Sequence, residues 1–462
     1  MKYLFLSILS LFVTSHLWAG DYQSLYQNLP VALVEPTAPA IPDTRVSIID
    51  FGGVGDGITN NTEAFKKAIS ALSKKGGGHL DVPAGIYVVG LISLKDNIDL
   101  HLERNAMIMA SPEKKDFLPA DKDGAKAVPC ISASKRHNIS ITGEGTIDGN
   151  GEWWRAVKRG KVSDEEWKAF QEMGGTVTAD GKLWYPFDLK HFGNVADSYE
   201  RQETMRTHLI RFTDCENVLV KGVTIQNAPK FHLVPQRCKH VIIDDVTVRC
   251  PWNAQNGDGI DLMQCQEVLV TRCKVDVGDD GICLKGGVGE EGVKYGPCQN
   301  ILIVNNTVYH AHGGFVIGSE FSGGMFNIVV CDNTFSGTDK GLRFKSGPGR
   351  GGQTRNIYIS RIYMSDIITE AVAFETSYAD KPVGSNGDKG KSESVDFIPE
   401  FSDIHIGNVI CRDARTAIIA HGNINMIHDI SLSDCIFFYT KEEKVVDDPA
   451  MLQLSNVKFL TY

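Results

Sequence analysis

The chain has 462 residues, 42% of them hydrophobic, enough for one large core or for two of average size. Its formal net charge of −10 excludes a basic nucleic-acid-binding face by composition, so any site for an anionic ligand must draw on local positive charge. Its cysteines number eleven, an odd count, and a chain of this length needs no disulfide staples to fold.

Residues Lys2 to Val13 pair one basic residue with an apolar run, and Ala19-Gly20 stands just before Asp21. That layout predicts a cleaved secretory signal over residues 1–20 and a mature chain, 21–462, that forms one domain in the periplasm or the medium. The run is shorter than the ~20 residues of a bilayer-spanning helix. No other stretch is long and apolar enough to span, so neither a membrane nor a nucleic acid is an expected partner. The spacing of Phe65, Ala68, Ile69 and Leu72 predicts a helix over Thr62 to Lys75, stopped by Gly76-Gly77-Gly78. Residues 151–207 are rich in Trp, Lys and Glu and follow no repeat, which predicts an insertion beside a binding groove.

Around that insertion one short pattern returns. Apolar residues alternate behind an Asn or similar residue at Asn138, Asn217, His240, Glu267, Asn300, Asn327, Asn356, Asp403 and Asp429. Period two means β-strand. Second strands follow at Gly259 (GIDLM), Gly281 (GICLK), Gly314 (GFVIG), Gly341 (GLRFK), Ala371 (AVAFE) and Ala417 (AIIAH). Two or more strands per repeat, with no helix between, predict an all-β fold: a right-handed parallel β-helix whose coils stack at ~4.8 Å under an N-terminal helical cap. In that register Cys273 and Cys435 share a column with Val223, Val246, Ile362 and Val409, so they read as core fillers rather than disulfide partners or metal ligands.

The same register gathers chemistry. Asp258 and Asp280 each precede the glycine that opens a second strand, which puts the two carboxylates on adjacent coils, suited to polarising a water molecule. Asp279 falls in the column of His312, and crowding by two carboxylates is expected to raise its pKa and keep its proton, as a general acid requires. Arg343 and Lys345 alternate with inward Leu342 and Phe344, so both face outward two coils further on and offer a local site for a carboxylate. Singly, an Asp-Asp turn reads equally well as a solvated turn or a weak calcium site. In register, three aspartates, a histidine and two cations share one face over four coils.

With these residues in place the chain resembles the polygalacturonase family of glycoside hydrolases, from DFGGVGDG at Asp50 to RFKSGPGRGG at Arg343 and, more faintly, beyond. The family's Asn-Thr-Asp motif is similar to Asn256-Gly257-Asp258, and its Gly-Asp-Asp motif to Gly278-Asp279-Asp280. Its Gly-His-Gly motif is similar to Ala311-His312-Gly313, and its Arg-Ile-Lys motif to Arg343-Phe344-Lys345. The resemblance implies Asp279 as general acid, Asp258 and Asp280 as activators of water, and His312 as support for the acid. It also implies substrate binding by Arg343, Lys345, Asn256 and Tyr378. Inversion of the anomeric centre without metal or other cofactor would follow, on an acidic plant polysaccharide, by a monomer.

Gly257 for threonine, Phe344 for isoleucine and Ala311 for glycine depart from the motifs without removing a catalytic group. The insertion, if it closes the groove, points to exo release of galacturonic acid. Endo action and hydrolysis of rhamnogalacturonan or xylogalacturonan are alternatives, as are a pectate lyase and a β-helix that only binds polysaccharide.

Overall fold

A computed structural model of the protein describes residues 22–118, 127–187, 206–378 and 396–461. The expected signal at 1–20 and residues 188–205 of the insertion lie outside that description. The described chain is a right-handed parallel β-helix, as the repeat predicts. Parallel strands one coil apart pair in register from Arg45–Ser47 to Lys458–Thr461.

The asparagine that opens each repeat has a backbone cause. Asn138, Asn217, His240, Glu267, Asn300, Asn327, Asn356, Asp403 and Asp429 all have φ between 51° and 57°. Asn and Asp tolerate this left-handed region better than other residues with a Cβ. Their side chains also stack. Asn217 donates to Asn138 Oδ1 (3.0 Å), Asn327 to Asn300 Oδ1 (3.1 Å) and Asn356 to Asn327 Oδ1 (3.0 Å). Where the repeat substitutes His240 and Glu267, those two pair with each other at 2.8 Å.

Alternation then fills the interior with columns of Ile, Val, Leu and Phe, each fully buried side chain contributing roughly 1.5–3 kcal/mol. Phe344 stacks on Phe374 with ring centroids 4.4 Å apart, and Phe315 and Phe401 meet it edge-on. All eleven cysteines are free and buried, and Cys273 and Cys435 lie in the interior core as expected. Four of them, Cys215, Cys238, Cys265 and Cys298, stack on consecutive coils, each thiol donating to a carbonyl of the neighbouring backbone.

Helix α1 (Thr62–Lys74) buries Ala64, Phe65, Ala68, Ile69 and Leu72 against the first coils, one residue shorter than the spacing predicts. Cβ-free Gly77 and Gly78 end it at φ 124° and 142°, and a side chain at Gly78 would meet the Thr44 carbonyl at 2.1 Å. One feature had no sequence signal. Residues from Tyr22 onward run as a strap along the outside of the solenoid, packing Leu25, Leu29, Val31 and Leu33 on outward Leu219, Ile242, Leu269 and Leu302. The insertion folds on its own pattern: a small antiparallel sheet of Val157–Lys158, Leu183–Tyr185 and Thr176–Val177, with helix α2 (Asp164–Glu172) started by a Ser163–Glu166 capping box.

The sheet that carries the site contains β1 (Ile210–Thr213), β2 (Leu233–Gln236), β3 (Ile260–Met263), β4 (Asp280–Lys285), β5 (Gly313–Ser319), β6 (Lys340–Ser346) and β7 (Ile367–Glu375). Ile282, Phe315 and Leu342 pair across β4, β5 and β6 and point inward, as do Leu284, Ile317 and Phe344. Cys283, Val316 and Arg343 therefore form an outward column.

Candidate active site

Three consecutive turns present the site: those before β3 and β4 carry Asp258 and Asp279-Asp280, and the one before β5 carries His312. Stacking sets their height: Gly259 N donates to the Asp280 carbonyl (2.9 Å), and His312 N to the Asp279 carbonyl (2.8 Å). The glycine of Gly278-Asp279-Asp280 is required by the close approach of the preceding turn, since a Cβ there would lie 2.5 Å from the Ala254 carbonyl. One oxygen from each of Asp258, Asp279 and Asp280 falls within 4.8 Å of the others. That is closer than the ~6.5–9.5 Å between carboxyls usual for inverting sites. The coil spacing, not the side-chain direction, dominates the separation.

Two cations face this cluster from β6. Lys345 Nζ lies 2.7 Å from Asp280 Oδ2, and Arg343 Nη1 3.3 Å from Oδ1, both nearly buried. The structure brings Tyr378 beside them, its ring 5.0 Å from the ammonium and 5.7 Å from the guanidinium. His312 Nδ1 is 3.0 Å from Asp279 Oδ1. Asn256 occupies a left-handed turn at φ 50°, and its Oδ1 accepts from Arg206 Nη2 at 2.9 Å. Asp258, Asp279 and Asp280 have the donor chemistry and proximity to hold a divalent cation. Lys345 and Arg343 already contact both oxygens of Asp280, which disfavours a metal there.

The cluster is electrostatically divided. Burial, then the charges of Asp261 and Asp279, push the Asp258 carboxyl well above the carboxylate range. Burial also opposes ionisation of Asp279, but the His312 hydrogen bond and the charges of Lys345 and Lys161 outweigh it and hold that carboxyl below the usual range. Asp280 is likewise depressed, burial being overcome by Lys345 and Arg343. The expectation that crowding raises Asp279 is therefore corrected. The cations gather on its side of the cluster, while burial and neighbouring carboxylates oppose ionisation of Asp258. Carboxylates this close titrate as a unit.

Four contributors escaped the sequence reading. Asp261, fully buried on β3, is pushed up to about 8, by burial first and then by Asp280 and Glu320 against the opposing pull of Lys285. Lys285 Nζ stands 3.8 Å from it and donates to the Gly318 carbonyl. Both were legible in principle, because Asp261 shares a column with Arg343, and Lys285 one with Lys345. Glu375 Oε2 lies 3.7 Å from Arg343 Nε, on the next strand of the same face. Lys161 comes from the insertion and touches His312, and no repeat could have placed it.

With this geometry in hand, the family can be stated. Residues 158–397, just over half of the chain, match the model of the glycosyl hydrolases family 28. The chain belongs to that family. All the residues of the acidic cluster, His312, Arg343, Lys345 and Tyr378 lie within the span that family 28 matches.

An exo-poly-alpha-D-galacturonosidase of Dickeya chrysanthemi is 29% identical over 400 residues, covering 82% of this chain and 64% of that protein. A probable polygalacturonase of Vitis vinifera is 30% identical over 334 residues, covering 69% of this chain and 60% of that protein. The chain thus spans less than two thirds of the length of these two relatives. Among solved structures, a hyperthermoactive exopolygalacturonase from Thermotoga maritima superposes with a TM-score of 0.74 at 30% identity, covering 92% of this chain and 94% of that one.

Proposed function

We propose that the protein is an exo-acting glycoside hydrolase that releases galacturonic acid from α-1,4-linked galacturonan with inversion. The observation that carries this reading is the buried pair Lys345 and Arg343 set against a cluster of three carboxylates. An acidic site this buried has little use for outward cations unless an anionic ligand must enter it. A guanidinium and an ammonium side by side suit a uronate carboxylate.

Asp279 is the general acid, a role generally worth about 10²–10⁴ in rate. The surrounding cations favour its ionised form in the free protein, and substrate binding supplies the remedy. A uronate carboxylate on Lys345 and Arg343 adds negative charge beside the cluster and offsets cations that depress Asp279, so the shared proton moves toward it. Asp279 then protonates the glycosidic oxygen. Asp280 and Asp258, with the proton gone from the latter, take a proton from the attacking water. Tyr378 and Asn256 border the sugar site.

The insertion reaches the cluster through Lys161, which supports a closed groove and exo cleavage, as do the names of the Dickeya and Thermotoga relatives. A retaining reaction is the second reading, favoured by carboxyl oxygens within 4.8 Å. Proton NMR of the first product separates the two: inversion of an α-linkage gives the β-anomer before mutarotation, and α-anomer would overturn the proposal.

Among the described residues no helix is long and apolar enough to cross a membrane. Export by the 1–20 segment, action as a monomeric single solenoid on an acidic plant polysaccharide, and independence from cofactors complete the reading. Loss of activity in a chelator would refute the last.

A further inference from the structure

The insertion sends one side chain into the catalytic cluster. Lys161 ends the short helical turn Arg159–Lys161, and its Nζ lies 3.1 Å from the Gly278 carbonyl and 3.1 Å from His312 Nε2. An ammonium offers only donors. Nε2 must therefore accept, which leaves the ring's single proton on Nδ1, 3.0 Å from Asp279 Oδ1, where it donates to the carboxylate. A second carboxylate also faces Nε2, with Asp339 Oδ2 3.8 Å away. Among the described residues, Asp279, Asp339 and Lys161 are the charged groups facing the imidazole. Lys345, Asp258 and Asp280 act on it from behind Asp279.

Replacing Lys161 by an apolar side chain would leave His312 between two carboxylates with an open lone pair. The ring would then take a second proton in acid and become an imidazolium hydrogen-bonded to Asp279. A charge in direct contact binds a carboxylate more strongly than one beyond the ring. Such a pair would keep Asp279 ionised at the moment it must carry a proton.

We propose that Lys161 is a positioning residue for hydrolysis: by occupying His312 Nε2 it fixes the singly protonated Nδ1–H tautomer, so that Asp279 can receive and deliver a proton. The inference rests on Asp279 as the general acid. It assigns the insertion a part in the chemistry in addition to any part in shaping the groove.

The test compares kcat and KM of wild type, Lys161→Met and Lys161→Arg on oligogalacturonate across the pH range. The expected result for Lys161→Met is a kcat reduced about tenfold or more in mild acid and recovering toward wild type as pH rises, with KM little changed. Lys161→Arg should keep the wild-type profile. A merely structural role would lower kcat by the same factor at every pH, and that result overturns the proposal.

A measurement on the unmutated protein stands beside it. With ¹⁵N-labelled histidine, and His312 assigned from His312→Gln, the ring should show the Nδ1–H tautomer in mild acid. An Nε2–H or doubly protonated ring overturns the inference. If instead Asp279→Asn keeps full activity, the parent reading has failed, whatever the tautomer.

Discussion

Asp261 offers a prediction that separates burial from chemistry. Its carboxyl is completely buried, is pushed up to about 8, and among the described residues has only Lys285 as an ion-pair partner, at 3.8 Å. Unfolded, the same group releases its proton near 3.8. Between those values the folded chain binds one proton more than the unfolded chain, so this residue's contribution to stability falls as pH rises. Each pH unit is worth ~1.4 kcal/mol per proton, so moving from about pH 5 to about pH 7 should cost about 3 kcal/mol at this position.

Asp261→Asn preserves the shape and carries no proton to lose. The variant should gain about 3 kcal/mol on wild type between pH 5 and pH 7. Urea unfolding followed through the six tryptophans measures both. A difference between variant and wild type that is the same at the two pH values would refute the reasoning.

Lys345→Met removes the 2.7 Å contact to Asp280 and half of the proposed uronate site, and kcat/KM on galacturonan should fall by roughly 30-fold to 5,000-fold, as truncating one partner of a buried charge pair costs ~2–5 kcal/mol. A change under threefold would remove Lys345 from the site. Phe344→Ala opens a cavity beneath Arg343 and Lys345 in the Phe315–Phe374–Phe401 cluster and should destabilise by about 3–5 kcal/mol by chemical denaturation, whereas Phe344→Ile should cost much less. The eleven free thiols should be unreactive toward a thiol reagent in the native protein and should all react in denaturant. A reducing agent should leave the melting temperature unchanged.

The fold was legible because a stacked solenoid repeats its constraints. Each coil needs a left-handed corner and an alternating strand, so the Asn-led pattern marked coil after coil, and a register drawn from sequence correctly placed Asp279 in the column of His312 and turned Leu342 and Phe344 inward. The gathering of Asp258, Asp279 and Asp280 as a trio followed from the same register. The charge state of that trio did not follow. It depends on Lys161, Lys345 and Arg343 converging on one side, a sum over three chain segments that local spacing does not encode. Lys161 and the strap from Tyr22 were hidden for a related reason: both lie in stretches without the repeat and gain their meaning only from what they pack against.

A time course on polygalacturonic acid tests the central claim most directly, with products separated by size, absorbance followed for unsaturated ends, and Asp279→Asn run alongside. Saturated galacturonic acid from the first minutes, abolished by the substitution, is the predicted result. Mixed oligomers at early times would contradict exo action, and unsaturated ends, or full activity in Asp279→Asn, would contradict hydrolysis by this cluster.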